Sequence, residues 1–161
     1  MRKYVILATI AALIIAIDQI VKMYVHTHFI LGESLPVWQG FFNITYVRNF
    51  GAAFGFLHET PPSFRENFFL IMPPVALIII IFILSGVKAT DTRQILALSS
   101  VFGGAIGNYV DRLRFRYVID FLDFHWHDIY TYPAFNVADM AIVGGVAALL
   151  LIMFLERKNV S

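Results

Sequence analysis

The sequence predicts a membrane α-helical protein, with four transmembrane helices and a small extracytoplasmic β-sheet and loop region on the membrane surface. Three observations lead there. Hydrophobic residues make up 59% of the 161 residues and charged residues only 14%, more apolar side chain than a soluble core of this size hides, so lipid must solvate part of the chain. Four uninterrupted apolar runs each approach, with their flanks, the about 20 residues that cross the hydrocarbon. Between them lie two long segments in which aromatic and β-branched residues alternate with glycines and polar side chains, the composition of short strands and turns. The length suits one integral membrane domain, residues 1–161.

The first span, about 4–25, starts from the apolar run "YVILATIAALIIAI" and continues through Asp18 and Lys22. Arg2 and Lys3 could open a cleavable leader. No small-residue cleavage site follows, however, and the helix runs on into charged residues, so the segment reads as a span. The second span, about 68–86, contains Pro73-Pro74, which predicts a kink or a late helix start because proline removes backbone donors. The third, about 95–112, carries "GGAIGNYVDR", and the fourth, about 138–155, opens with "NVADMAIVGG". Residues 33–56 read as short strands and a hairpin, and residues 114–135, rich in aromatics, suit the headgroup region.

Four spans put both termini on one side with Arg2, Lys3, Lys88, Arg93, Arg157 and Lys158, against Lys22, Arg48, Arg65, Arg112, Arg114 and Arg116 on the other. The counts tie. The first set is concentrated in short tails and one short loop, which places the termini in the cytoplasm and the long segments outside.

Composition also removes function classes. A net charge of +1 argues against nucleic acid as a partner. With no cysteine, disulfides, thiol nucleophiles and thiolate metal sites are excluded together. His125 and His127 alternate around Trp126, but neither a His-Glu-x-x-His motif nor a cysteine pair accompanies them, so no metal is expected. Ser99-Ser100 lack the glycine-flanked elbow of a serine nucleophile.

The carboxylates near membrane depth carry the chemistry, because ionisable groups so placed pair, line a polar cavity or react. Asp18 and Lys22 are four apart on one helix and can pair, and Asp111 precedes Arg112 at the end of the third span. Asp120, in "YVIDF", and Asp139, at the threshold of the fourth span, have no evident local cation. If they meet in space they cannot easily both ionise, and one would activate water while the other protonates a carbonyl oxygen. Sequence leaves that meeting open. Gly103, Gly107 and Asp111 share a helical face suited to close packing, and Asn108 and Asn136 would face the same polar interior. Asn49 sits beside the glycine-rich turn that begins at Gly51. A proton relay or carrier is the rival class; against it, the polar groups gather on one side instead of forming a path across.

The blocks "IDQIVK", "RNFGAAF", "GGAIGNYVDR" with "VIDF", and "PAFNVAD", in this order and with 19 positions between Asp120 and Asp139, resemble the bacterial lipoprotein signal peptidases (type II signal peptidases) over nearly the whole chain. The resemblance implies an aspartic endopeptidase of the cytoplasmic (inner) membrane. It would cut diacylglyceryl-modified prolipoproteins just before the lipidated cysteine, need no cofactor or metal, be blocked by globomycin-type inhibitors, and act as a monomer among membrane lipids. It implies that Asp120 and Asp139 are catalytic. Asn49, Asn108, Arg112 and Asn136 then hold the substrate backbone, and Asp18, Lys22 and Asp111 give structural support. Gly51, Gly103 and Gly107 are expected to serve close approach, with residues 48–56 as a cradle or lid over the substrate.

Overall fold

The computed structural model describes residues 1–51, 60–127 and 129–158, the side chain of Lys158 aside. Helix α1 spans Arg2–His28. A hairpin follows, β1 (Ser34–Trp38) and β2 (Phe42–Asn49). Helices α2 (Pro62–Gly86) and α3 (Thr92–Phe115) lead into β3 (Val118–Trp126), the short β4 (Tyr130–Thr131) and α4 (Val137–Lys158). The strands form an antiparallel sheet in the order β1-β2-β3-β4, with irregular register between Pro36 and Trp38 and between Ile44 and Val47.

Three of the described helices, α1, α2 and α4, are long and apolar enough to cross a membrane. On α1 the buried positions Leu7, Ala11, Asp18, Lys22 and Val25 fall on one stripe; Leu13, Ile17 and Ile20 elsewhere on the helix are exposed. The same holds for Ile78 and Phe82 on α2 and for Leu150, Met153 and Phe154 on α4. Such exposed apolar flanks are stable only against lipid. The chain is an integral membrane protein.

Helix α3 differs. It has 24 residues, yet it buries Ser99, Gly103, Gly104, Gly107, Asn108 and Asp111 and packs against α1, α2 and α4. Its apolar content is lower because its neighbours, and not lipid, meet much of its surface. Asp91 caps its first turn by accepting the Gln94 N–H at 3.1 Å, which starts the helix three residues before the sequence-predicted span. Helix α2 runs unbroken through Pro73 and Pro74 from Pro62. The prolines therefore do not delay its start, and proline at the first turn, where N–H groups lack partners anyway, explains the earlier beginning.

Two apolar clusters bracket the polar interior. Leu7, Ile80, Leu84, Ile95 and Leu98 pack near one end of the helices, and Val25, Tyr46, Tyr117, Ile119 and Phe121 join the other end to the sheet. The buried charged residues Asp18, Lys22 and Asp111 lie between them along both helices.

Candidate active site

Glycine brings the helices together. A Cβ on Gly103 would stand 2.9 Å from the Ala11 Cα, and one on Gly107 would stand 2.8 Å from Asp18 Oδ2 and 3.2 Å from the Ala138 Cβ. Gly103 is thus where α3 meets the backbone of α1, Gly107 leaves room for the Asp18 carboxylate and the Ala138 side chain, and Gly104, which the sequence reading missed, abuts the Ala138 carbonyl.

At that junction a buried ion cluster forms. Lys22 Nζ lies 2.8 Å from Asp18 Oδ2 and 3.0 Å from Asp111 Oδ2, with all three side chains essentially inaccessible. Its third hydrogen goes to Asn108 Oδ1 at 2.9 Å. The carboxylates have further work. Asp18 Oδ1 accepts the Ala138 N–H at 2.9 Å, closing an open donor in the first turn of α4, and Asp111 Oδ2 accepts the Ile119 N–H at 3.1 Å, fixing the start of β3. Gln19, also overlooked in the sequence, donates to Asp111 Oδ1 at 2.8 Å and to the Gly107 carbonyl at 3.1 Å. A polar residue inside an apolar run was the signal for it.

Asn136 is the N-cap of α4. Its Oδ1 accepts the Asp139 N–H at 2.9 Å, while Asp139 Oδ2 accepts the Asn136 N–H at 3.3 Å. This reciprocal capping box answers why a carboxylate opens an apolar helix: it satisfies orphan donors at the positive end of the helix dipole. Asp139 Oδ1 takes a second bond, 2.7 Å from Asn108 Nδ2. All of its partners are donors.

The same Asn136 reaches the other carboxylate. Its Nδ2 donates to Asp120 Oδ1 at 2.6 Å, with Asn108 Oδ1 and the Ile119 carbonyl at 3.2 and 3.3 Å. Asp120 lies on β3 and is 1% exposed. Asn49, the last residue of β2, donates to its Oδ2 at 3.0 Å. Burial pushes the Asp120 carboxyl up to about 7, and the neighbouring Asp139 charge adds to the rise; hydrogen bonds from Asn49 and Asn136 and the charge of Lys22 oppose it. Asn136 therefore bridges the two aspartates, and one of them is poised to hold a proton near neutrality.

Arg112, one turn beyond Asn108 on α3, lays its guanidinium over the Phe69 ring at 4.8 Å and donates to the Gly51 carbonyl at 3.1 Å. The Gly51 N–H in turn donates to Asn49 Oδ1 at 3.0 Å, orienting that amide so that its nitrogen faces Asp120. Of the cradle or lid expected over residues 48–56, residues 52–56 lie outside the described residues.

The sequence-predicted site residues other than Gly103, which packs on Ala11 farther along α1, thus converge where α1, α3, α4, β2 and β3 meet. Comparison with known proteins bears on the family. Residues 10–155 match the family Signal peptidase (SPase) II. The lipoprotein signal peptidase of Syntrophus aciditrophicus (strain SB) is 47% identical over 167 residues, with both chains fully covered. That of Brevibacillus brevis is 45% identical over 150 residues, covering 93% of this chain and 95% of the relative. A bacterial membrane enzyme solved by the in meso method superposes with a TM-score of 0.84 at 30% identity, over 95% of this chain and 90% of that one. With sequence matched end to end and the fold shared, the chain belongs to the signal peptidase II family of membrane peptidases.

Proposed function

We propose that the protein is an aspartic endopeptidase that removes signal peptides from diacylglyceryl-modified prolipoproteins, cutting just before the lipidated cysteine. The observation that carries this reading is the bridge through Asn136, which ties a buried, proton-retaining Asp120 to an Asp139 surrounded by donors.

Asp139 takes a proton from water, whose oxygen attacks the scissile carbonyl carbon. Asp120 gives its proton to the carbonyl oxygen, so no oxyanion is left bare. Collapse of the resulting gem-diol returns a proton from one hydroxyl to Asp120, Asp139 passes its proton to the amide nitrogen, and the C–N bond breaks. Both aspartates end as they began. Asn49, Asn108, Asn136 and Arg112 would hold the substrate backbone, and the chemistry of this donor set requires no metal or cofactor.

Helix α3 acts as the fourth span of a single domain, shielded from lipid by its neighbours. The termini lie in the cytoplasm, and the sheet and dyad at the outer face of the inner membrane. A signal helix and two acyl chains can reach a carboxylate pair placed there, and so can water. Globomycin-type inhibitors would compete at the same place, and a monomer carries all the residues invoked.

The test is cleavage of a diacylated prolipoprotein by purified protein in detergent, comparing wild type with Asp120→Asn and Asp139→Asn at matched folding. Each replacement should reduce turnover by about 10²- to 10⁴-fold, the range of a positioned acid or base. Full activity in either variant would remove the two-aspartate mechanism.

A further inference from the structure

Beside the dyad, on the opposite face of β2, sits a cluster to which no role has so far been given. Arg48 Nε donates to Tyr46 Oη at 3.0 Å. Its guanidinium lies 4.7 Å from the Tyr117 ring centroid and 5.5 Å from that of Tyr46. Tyr46 and Tyr117 are buried, with their hydroxyls 3.5 Å apart. The Tyr46 hydroxyl, having accepted from Arg48, is 2.6 Å from His26 Nδ1 in the last turn of α1. The guanidinium therefore joins the end of β2 to the turn by which α3 enters β3, and the Tyr46 hydroxyl it contacts links both to the end of α1.

That turn is itself unusual. Arg116 adopts φ 66° to reverse the chain out of α3, a conformation that non-glycine residues rarely take. Tyr117 follows it directly, and the Arg48 guanidinium covers its ring. Burial, and then the hydrogen bond with Tyr46, push the Tyr117 phenol up to about 12, so the ring stays neutral and the contact is a cation on an aromatic face.

Side chains alternate across a strand. Arg48 and Tyr46 thus occupy one face of β2, while Asn49 occupies the other and reaches Asp120. Arg48 pairs in register with Ile119 and Asn49 with Val118, just past an irregularity between Ile44 and Val47 that separates these last pairs from the rest of the ladder.

We propose that Arg48 is a positioning residue for the dyad: clamped by Tyr46 and Tyr117, it holds the end of β2 so that Asn49 stays within hydrogen-bonding distance of Asp120. The proposal rests on the two-aspartate reading. It predicts coupling between two residues that face opposite sides of a strand and share no hydrogen bond.

A double-mutant cycle tests it, with kcat and KM measured on a diacylated prolipoprotein. Asn49→Ala and Arg48→Ala should each lower kcat by about tenfold, the worth of one hydrogen bond to a charged group, and any rise in KM from the loss of the Asn49 contact to substrate should appear to the same extent in both. The double variant should be little slower than Asn49→Ala alone, because the Arg48 effect passes through Asn49. Arg48→Lys should not rescue activity, since an ammonium lacks Nε and the planar stack. Tyr46→Phe, which removes the hydroxyl but keeps the ring, should reproduce part of the loss if Arg48→Ala folds poorly. Multiplicative losses in the double variant, or full activity in both Arg48→Lys and Tyr46→Phe, would overturn the clamp. These outcomes are distinct from failure of the mechanism itself, which would appear as activity in Asp120→Asn.

Discussion

At the scale of single residues, the site works by giving each charged group a partner that also has a second task. Lys22 neutralises Asp18 and Asp111 and orients Asn108; Asn108 then directs its Nδ2 to Asp139. Removing Lys22 strands two buried carboxylates, so Lys22→Met is expected to destabilise the protein by about 3–5 kcal/mol. Thermal unfolding in detergent would show it as a large fall in Tm, and an unchanged Tm would mean that the cluster is not buried in the folded protein. Asn136→Ala removes both the α4 cap and the bridge to Asp120. It should therefore lose activity and also about 1 kcal/mol of stability through the cap, whereas Asn49→Ala, which caps nothing, should lose activity with little change in Tm.

The helices bring these residues together, and this is the scale at which sequence and structure part. The apolar runs gave the helices directly, because a span in lipid leaves little choice of structure. The capping box was written in the spacing of Asn136 and Asp139, three apart at the threshold of an apolar run, yet Asp139 reads as unpaired when only cations are sought as partners. Convergence of Asp120 with Asp139 was not legible from spacing, since it depends on how closely α1, α3 and α4 approach; the family blocks supplied it. Arg48, Tyr46 and Tyr117 were also passed over, because a clamp between strand and turn has no local signature. Close approach is itself testable. A methyl at Gly107 would meet Asp18 Oδ2 at 2.8 Å and crowd Ala138, so Gly107→Ala should cost about 1–3 kcal/mol, as overpacking does, and should slow cleavage by displacing the start of α4. Gly144→Ala, where a Cβ meets nothing within 4 Å, is the control and should be neutral or stabilising.

For the whole molecule, four spans with both termini on one side require α3 to cross the membrane although it is less apolar than its neighbours. If it does, Lys88 in the α2–α3 loop and Trp126 at the end of β3, both exposed, lie on opposite sides. The chain has no cysteine, so Lys88→Cys and Trp126→Cys can each be probed in intact cells with a membrane-impermeant thiol reagent. Labelling of Trp126→Cys alone is expected, and labelling of both from the same side would mean that α3 does not span. On the proposed reading, catalysis would take place where an acylated substrate and water can both arrive, with apolar helix flanks toward the lipid.

The central claim is that Asp120 retains a proton beside Asp139 near neutral pH, and the pH dependence of kcat/KM for wild type and Asn49→Ala tests it most directly. Asp120 acts in its protonated form, so activity should fall as pH rises through about 7. The Asn49 hydrogen bond favours the charged form. Its removal should raise that pKa and move the falling limb to higher pH. A wild-type profile that stays flat from well below to well above pH 7, or a limb that moves to lower pH in Asn49→Ala, would contradict the account.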